Sequence, residues 1–243
     1  KEIETSFNIA LKYNKLEKTT FFSKKKFKKY NYYFLNLKKN APHKIDLNFF
    51  SIYVISCNNS FLSLNKDKLK LEKECCINFY NCKKTYIQSN KSNIQLLIAG
   101  KKVNSKLKPR IEKIKKNKLY KVVKPWGFEN WLNGDGKYYS FKKIVLNSGF
   151  KTSLQFHKIK EETIGLFKGK AKLVYKNNSK INNLKVKGKD LREKTIKPFT
   201  ILNVNQNVLH RLKAISNLTL FETSTPHLKD VIRVLDDLKR PDG

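Results

Sequence analysis

The chain has 243 residues, enough for one large domain or two small ones. Lysine and arginine total 53 against 19 acidic residues, which gives a formal net charge of +34. The longest apolar run, from Phe49 to Cys57, is only about as long as a β-strand, so the sequence predicts no membrane-spanning helix and no membrane partner.

A charge of this size raises the question of a nucleic-acid partner. The lysines are spread over both halves of the chain, and Lys, Asn and Ile are jointly abundant, as expected for a protein encoded by an AT-rich genome. We therefore interpret the charge as a compositional background and do not expect nucleic acid as the partner. Anionic small molecules such as sugar phosphates fit the charge equally well.

The four cysteines form no C-x-x-C pair; they are Cys57, Cys75, Cys76 and Cys82. This pattern is typical of reduced, partly buried thiols in a cytoplasmic protein. The sequence shows no export signal, which also indicates a cytoplasmic location. The chain begins at Lys1 and contains no methionine, which indicates a fragment of a longer protein.

Residues 1–20 are polar and weakly patterned, which predicts an N-terminal tail or helix. Residues 21–100 contain many short β-like runs separated by Asn, Lys and Ser, a pattern typical of a β-sandwich or barrel. Residues 101–124 contain Pro109 and a basic run from Lys113 to Lys118, and we interpret them as a basic linker or a short helix.

From residue 125 to the end the pattern is again that of strands, up to about Thr223. Residues 230–238 then alternate apolar and charged side chains at helical spacing. The sequence therefore predicts a second β domain over 125–243 that closes with a short C-terminal helix.

The two halves resemble each other. A shift of 109 residues places Leu37 on Leu146, and a shift of 124 places the segment 92–94 on 216–218. A repeat of this length favours two tandem jelly-roll barrels, unless the similarity arises by chance among Lys- and Asn-rich strands.

One group of side chains in the second half has the composition of a metal site. Gln155 and His157 are two residues apart, so on a strand they project from the same face. Glu162 follows after room for a turn, and His210 lies in another strand-like run. An amide, two imidazoles and a carboxylate inside a barrel would form a mixed nitrogen and oxygen site for a divalent metal.

In the first half, the repeat places different side chains at three of these ligand positions: Asp46 at Gln155, Asn48 at His157 and Tyr86 at His210. We therefore expect a degenerate first barrel without metal, serving as a structural unit or as a platform for a homodimer.

The spacing from Gly149 to Gly169 resembles the cupin motif, G-x5-H-x-H-x3,4-E-x6-G, with Gln155 at the first histidine position. The resemblance implies an all-β fold, the jelly-roll barrel or double-stranded β-helix, and with the repeat a tandem bicupin. The alternative is a turn-rich β-hairpin whose polar residues match by chance.

Over residues 121–240 the sequence is similar to a particular cupin family. The segment 124–129, K-P-W-G-F-E, resembles the R/K-P-W-G-x-Y/E opening of type II mannose-6-phosphate isomerases. The segment 221–240 resembles the closing E-x-x-T-P-x-x-D-D-V-V-R-x-x-D-D-x-x-R of the same family. In bacteria this domain often forms the C-terminal part of bifunctional mannose-1-phosphate guanylyltransferases.

In the family's Q-M-H-x-H-R-x-E-H segment, the second and third histidines are replaced by Ile159 and Thr163. The chain also has no G-x-G-G-x-R phosphate loop, so the nucleotidyltransferase domain is absent from this sequence.

The resemblance implies a metal-dependent aldose–ketose isomerase acting on mannose-6-phosphate or a related sugar phosphate, with zinc as the expected metal. A base must move a proton between adjacent carbons, and the candidates are Lys142 and Glu222. Arg211 would bind the phosphate, unless it is a surface arginine. We interpret Trp126 as core packing.

Two other functions remain open. One is a non-catalytic cupin that binds a sugar or sugar nucleotide, as an accessory to a separate guanylyltransferase; the replaced histidines favour it. The other is a nucleic-acid-binding protein, which only the charge favours.

Overall fold

The computed structural model describes residues 29–64, 67–133, 136–177 and 191–237. Within these residues the chain forms β-strands and one short 3₁₀ turn at Lys116–Lys118. In the same ranges, no helix is long and apolar enough to cross a membrane. The predicted all-β class is confirmed. The tail or helix predicted over 1–20 lies outside the described residues.

The chain divides into two compact units. Among the described residues, the first unit contains 29–120 together with 131–141. Two sheets build it, with strand orders β1-β8-β3-β6-β9 and β2-β7-β4-β5. Its strands are β1 Asn31–Leu37, β2 His43–Ile45, β3 Phe49–Ser56, β4 Phe61–Leu64, β5 Asp67–Lys70, β6 Cys76–Tyr80, β7 Thr85–Ser89, β8 Ile94–Lys101 and β9 Arg110–Ile114.

Among the described residues, the second unit contains 121–130, 142–177 and 191–237. Its sheets have the orders β10-β11-β12-β19-β14-β17 and β16-β15-β18-β13-β20. The strands of these two sheets are β10 Tyr120–Lys124, β11 Gly127–Trp131, β12 Ser140–Leu146, β13 Leu154–Phe156, β14 Glu162–Lys168, β15 Ala171–Asn177, β16 Arg192–Ile196, β17 Ile201–Val204, β18 Val208–Ala214, β19 Leu218–Ser224 and β20 Ile232–Leu235.

The two units share one topology. The order β1-β8-β3-β6 of the first unit corresponds to β12-β19-β14-β17 of the second, and β5-β4-β7-β2 corresponds to β16-β15-β18-β13. Side-chain hydrogen bonds repeat as well: Asn93 Oδ1 accepts from the Lys39 amide at 2.8 Å, and Asn217 Oδ1 accepts from the Ser148 amide at the same distance. These pairs are related by the predicted shifts of 109 and 124, which confirms the tandem repeat.

The core of the second unit is built by period-two alternation. Ile144 and Leu146 of β12 and Leu173 of β15 turn inward with Leu212 of β18. Burying each such aliphatic side chain contributes about 1.5–3 kcal/mol. Trp126 belongs to the same cluster, as predicted.

Apolar side chains fill the first barrel at the positions of two acidic residues of the second. Ser224 lies opposite Glu162, and the equivalent Gly100 lies opposite Phe50, so Phe50 takes the position of Glu162. By the same registers Ile98 takes the position of Glu222. Phe50 is fully buried and stacks on Phe79, with ring centroids 4.2 Å apart.

The polar residues expected at the lost ligand positions do not converge. Asp46 pairs with Lys102 at the surface, and Tyr86 is 47% exposed, so Tyr86 faces away from the barrel interior that His210 faces in the second unit. Asn48 is buried, and its amide bonds to Asn81 and to the backbone. The first barrel is therefore degenerate, as predicted.

The predicted linker over 101–124 contains part of a sheet. Arg110–Ile114 forms β9, which pairs antiparallel with β6 from Tyr80 to Cys76. The basic composition that favoured a linker reflects an edge strand, where charged side chains are normal. Lys113 contacts the Glu72 carboxylate at 2.6 Å.

The predicted C-terminal helix is wrong. Ile232–Leu235 is strand β20, which pairs with β13. Ile232 and Val234 pack against the cluster of Leu154, Phe156 and Leu209. Ile232 and Val234 are two residues apart, which fits a strand. With Val231 and Leu235 they also form a spacing that is typical of a helix, which explains the wrong prediction.

Candidate metal centre

Three side chains converge inside the second barrel. His157 follows β13, Glu162 opens β14 and His210 lies in the middle of β18. All three are at least 96% buried, and one ligand atom from each lies within 4.8 Å of the others. The structure therefore brings together three of the four ligands predicted from the sequence.

The backbone fixes both imidazole rings. His157 Nδ1 contacts the carbonyl oxygen of Asp230, and His210 Nδ1 lies 3.0 Å from the carbonyl oxygen of Val208. Because a carbonyl can only accept, each Nδ1 carries the proton and donates. In the neutral ring the lone pair is then on Nε2, and ligating histidines are commonly oriented by such an Nδ1–H contact.

The Nε2 atoms point at the Glu162 carboxylate. His210 Nε2 lies 2.8 Å from Glu162 Oε1, and His157 Nε2 lies 3.5 Å from Oε2. Within the described chain, the buried His157 Nε2 and Glu162 Oε1 atoms form no hydrogen bond of acceptable geometry. With metal–ligand bonds of about 2.0–2.2 Å, neighbouring ligand atoms lie roughly 3.0–3.5 Å apart. The donor set therefore fits a divalent metal.

Gln155 lies beside His210. The two residues are directly opposite in the antiparallel pair of β13 and β18, so their side chains share a face. Gln155 Oε1 accepts a hydrogen bond from Ser153 Oγ at 2.6 Å. The predicted fourth ligand is thus next to the cluster, with its amide oxygen bonded to Ser153.

Lys160 completes the interior of the site and was missed in the sequence. Its ammonium lies 2.5 Å from Glu162 Oε2 and 2.9 Å from Glu222 Oε1, and its side chain is almost fully buried. Burial lowers the pKa of Lys160, but the two carboxylates raise it more, so it remains charged. Lys160 follows Ile159, one of the two positions where a histidine is replaced, and the acidic residues Glu161 and Glu162 beside it were the available signal.

The same contacts act on Glu162. Burial raises the pKa of its carboxyl, but the Lys160 ammonium lowers it by more, so the pKa lies well below its ordinary value. Glu162 is therefore a carboxylate at neutral pH, the form that binds metal.

Asp230 holds the turn that carries Lys160, a second role that the sequence did not reveal. Its carboxylate accepts hydrogen bonds from the backbone amides of Lys158, Ile159 and Lys160 at 2.6–3.1 Å. Its own carbonyl accepts from His157. Burial raises the pKa of Asp230, and the three amides lower it more.

We expect Asp230→Ala to weaken metal binding by about 10- to 100-fold, the usual cost of losing a group that orients a ligand. The carbonyl that faces His157 survives the substitution, but the turn loses its three hydrogen bonds. Metal affinity measured by competition with a chelator checks this. Asp236→Ala is the control, since Asp236 lies beyond β20, and equal affinity in both variants would contradict the role given to Asp230.

The remaining predicted residues have mixed outcomes. Glu222 lies at the site through its bond to Lys160. Lys142 shares the inward face of β12 with Ile144, and its ammonium lies 3.4 Å from the Glu129 carboxylate. Ile159 is exposed, and Thr163 is buried with its hydroxyl bonded to Asn203.

Arg211 lies on the face of β18 opposite His210. Its Nε donates to the Thr152 carbonyl, and its Nη2 donates to Leu235 O and to the Asp237 carboxylate at 2.7 Å. The side chain is buried. Arg211 therefore anchors the end of β20. It is neither the phosphate-binding residue that the resemblance implied nor the surface arginine that was the alternative. Strict alternation along a strand would have placed it away from His210.

No protein-family model and no curated protein matches this sequence. Several similar solved structures are oxalate decarboxylases. The enzyme of Lactobacillus farciminis in complex with formate aligns with a TM-score of 0.60 at 12% identity, covering 84% of this chain and 79% of that one. A variant of the Bacillus subtilis enzyme gives 0.61 at 9% identity, covering 84% and 71%. Another structure of the Bacillus enzyme, which has Mn(II) centres, gives 0.60 at 9% identity and the same coverage.

At these identities the likeness shows the fold alone, and that fold is the cupin barrel. Together with the repeated topology, it defines the chain as a bicupin. The second cupin contains residues able to hold a divalent metal.

Proposed function

We propose that this bicupin is a metal-dependent isomerase that interconverts an aldose phosphate and a ketose phosphate, with mannose-6-phosphate or a close relative as substrate. The observation that carries the proposal is the convergence of His157, Glu162 and His210 with the Lys160–Glu222 ion pair inside one barrel. The similarity of residues 121–240 to type II mannose-6-phosphate isomerases supports the substrate class.

His157, Glu162 and His210 would hold the metal, with Gln155 as the fourth ligand. The bound metal would polarise the sugar oxygens at the reacting carbons and stabilise the negative charge that develops there. Nitrogen and oxygen ligands suit zinc, the metal we propose first, and also manganese.

Glu222 is the better placed of the two candidate bases. Lys160 donates a hydrogen bond to Glu222 Oε1 at 2.9 Å, and this contact orients the carboxylate. Glu222 Oε2 would then take the proton from one carbon of the sugar and return it to the adjacent carbon. Lys142 contacts Glu129 at 3.4 Å, whereas the partner of Glu222, Lys160, also contacts the predicted ligand Glu162. We therefore assign the proton transfer to Glu222.

A second function has support of its own. Lys160 places an internal positive charge on the ligand Glu162, and Ile159 and Thr163 stand where the similar family has histidines. Both features fit a cupin that binds a sugar or sugar nucleotide without turnover, as an accessory to a guanylyltransferase.

One experiment separates the two functions. The purified protein is analysed for metal, loaded with Zn²⁺ or Mn²⁺, and assayed on mannose-6-phosphate and glucose-6-phosphate for conversion to fructose-6-phosphate, with oxalate as an additional substrate. We expect isomerisation of mannose-6-phosphate that Glu222→Gln lowers by about 10²- to 10⁴-fold, the usual contribution of a general base. Metal binding without turnover would favour the second function, and turnover of oxalate alone would contradict both.

A further inference from the structure

The first unit contains a cavity of about 460 Å³ that shares no residue with the metal centre. Its walls come from the start of β3, the end of β6, the segment that leads into β9, Asn133 and residues 137–139. This volume lies within the range of small-molecule sites. The first barrel, whose interior is filled by apolar side chains, thus has a separate cavity large enough for a small molecule.

Aromatic rings form much of the wall. Phe49 and Tyr138 have ring centroids 4.4 Å apart at an interplanar angle of 56°, and Phe79 and Tyr80 line the cavity from β6. Tyr138 and Tyr80 are half-buried, so part of each ring faces the solvent side. Flat rings are favourable partners for a planar base, and such stacking is tolerant of base identity.

The rim is cationic. Lys108, Arg110 and Lys137 line the cavity, and no carboxylate is among the described lining residues. The guanidinium of Arg110 lies 4.2 Å from the ring centroid of Tyr80, and its Nη2 is 3.7 Å from Glu112. A guanidinium held over an aromatic ring keeps its planar fork available for an oxyanion such as phosphate.

The cavity floor is already fixed by internal hydrogen bonds. Asn78 Nδ2 donates to the Leu132 carbonyl at 3.0 Å, and Asn133 Oδ1 accepts from the Phe141 amide at 2.7 Å. The hydroxyls of Ser51 and Tyr139 lie 2.7 Å apart. A preformed floor reduces the ordering cost of binding, so affinity would come from the rings and the cationic rim.

We propose that this cavity binds a nucleoside monophosphate, with the base against Tyr138 and the phosphate at Arg110. A base alone would leave the cationic rim unused, and a phosphate alone would leave the aromatic wall unused. This proposal does not depend on the isomerase function, because no residue of the metal centre takes part.

The test is calorimetric titration with AMP, adenosine and ribose 5-phosphate at about 0.15 M salt, where long-range attraction by a basic protein is largely screened. We expect AMP to bind at least tenfold more tightly than either fragment. Arg110→Ala should weaken AMP binding by about 10- to 100-fold through a lost charge-assisted contact. Tyr138→Leu should weaken it by about 5- to 100-fold, whereas Tyr138→Phe keeps the ring and the affinity.

Two controls make the result specific. Lys115→Ala removes an exposed charge outside the cavity and should leave AMP affinity unchanged. His157→Ala should also leave it unchanged, which separates this site from the metal centre. The proposal is overturned if ribose 5-phosphate binds as tightly as AMP, or if the Arg110→Ala and Tyr138→Leu variants bind AMP like the parent.

Discussion

Replacing His157 by alanine should reduce metal affinity by more than about 100-fold, since even groups that only orient a ligand typically contribute 10- to 100-fold. His157 Nε2 is a buried atom that forms no hydrogen bond within the described chain and faces the Glu162 carboxylate. His210→Ala should have the same effect. Metal content after dialysis, measured by elemental analysis, gives the direct answer.

A matched control comes from the first unit. His43 lies in β2, the strand equivalent to β13, and it is only partly buried. His43→Ala removes one histidine without touching the cluster and should retain full metal content. Equal metal loss from His43→Ala and His157→Ala would show that the second barrel does not hold the metal.

Lys160→Met should destabilise the metal-free protein by about 3–5 kcal/mol, the typical cost of removing one partner from a buried ion pair. The substitution leaves Glu162 and Glu222 buried without their shared cation. Added Zn²⁺ or Mn²⁺ should recover part of the loss, because the metal supplies positive charge to Glu162. Urea unfolding with EDTA and with metal measures both effects.

Lys158→Met is the control for this prediction, because Lys158 lies two residues away and is exposed. It should change the free energy of unfolding by less than about 0.5 kcal/mol. The double variant Lys160→Met with Glu222→Gln should lose less than Lys160→Met alone, since one carboxylate charge is removed with the ammonium. An unchanged urea midpoint for Lys160→Met in EDTA would refute the stabilising role of this ammonium.

The strand pattern and the repeat were predictable because both depend on local alternation. A shift of 109 residues places β1 on β12, and a shift of 124 residues places the first residue of β8 on the first residue of β19. The spacing of His157, Glu162 and His210 also depends on strand geometry, which the sequence shows directly.

Other parts of the site depend on long-range pairing. The carboxylate of Asp230 reaches the turn at Lys158–Lys160 only because β20 adds to the edge of β13. The same pairing gives Arg211 its partners at Leu235 and Asp237. Neither contact has a local signature, and a helical interpretation of residues 230–238 conceals both.

The aromatic filling of the first barrel determines what a metal site there would require. Placing a carboxylate at position 50 would remove a ring that stacks on Phe79, at a cost of about 3–5 kcal/mol for the lost packing alone. The new carboxylate would also be fully buried, as Phe50 is, and an unpaired buried charge costs further free energy. A metal site in the first barrel would therefore need several simultaneous substitutions.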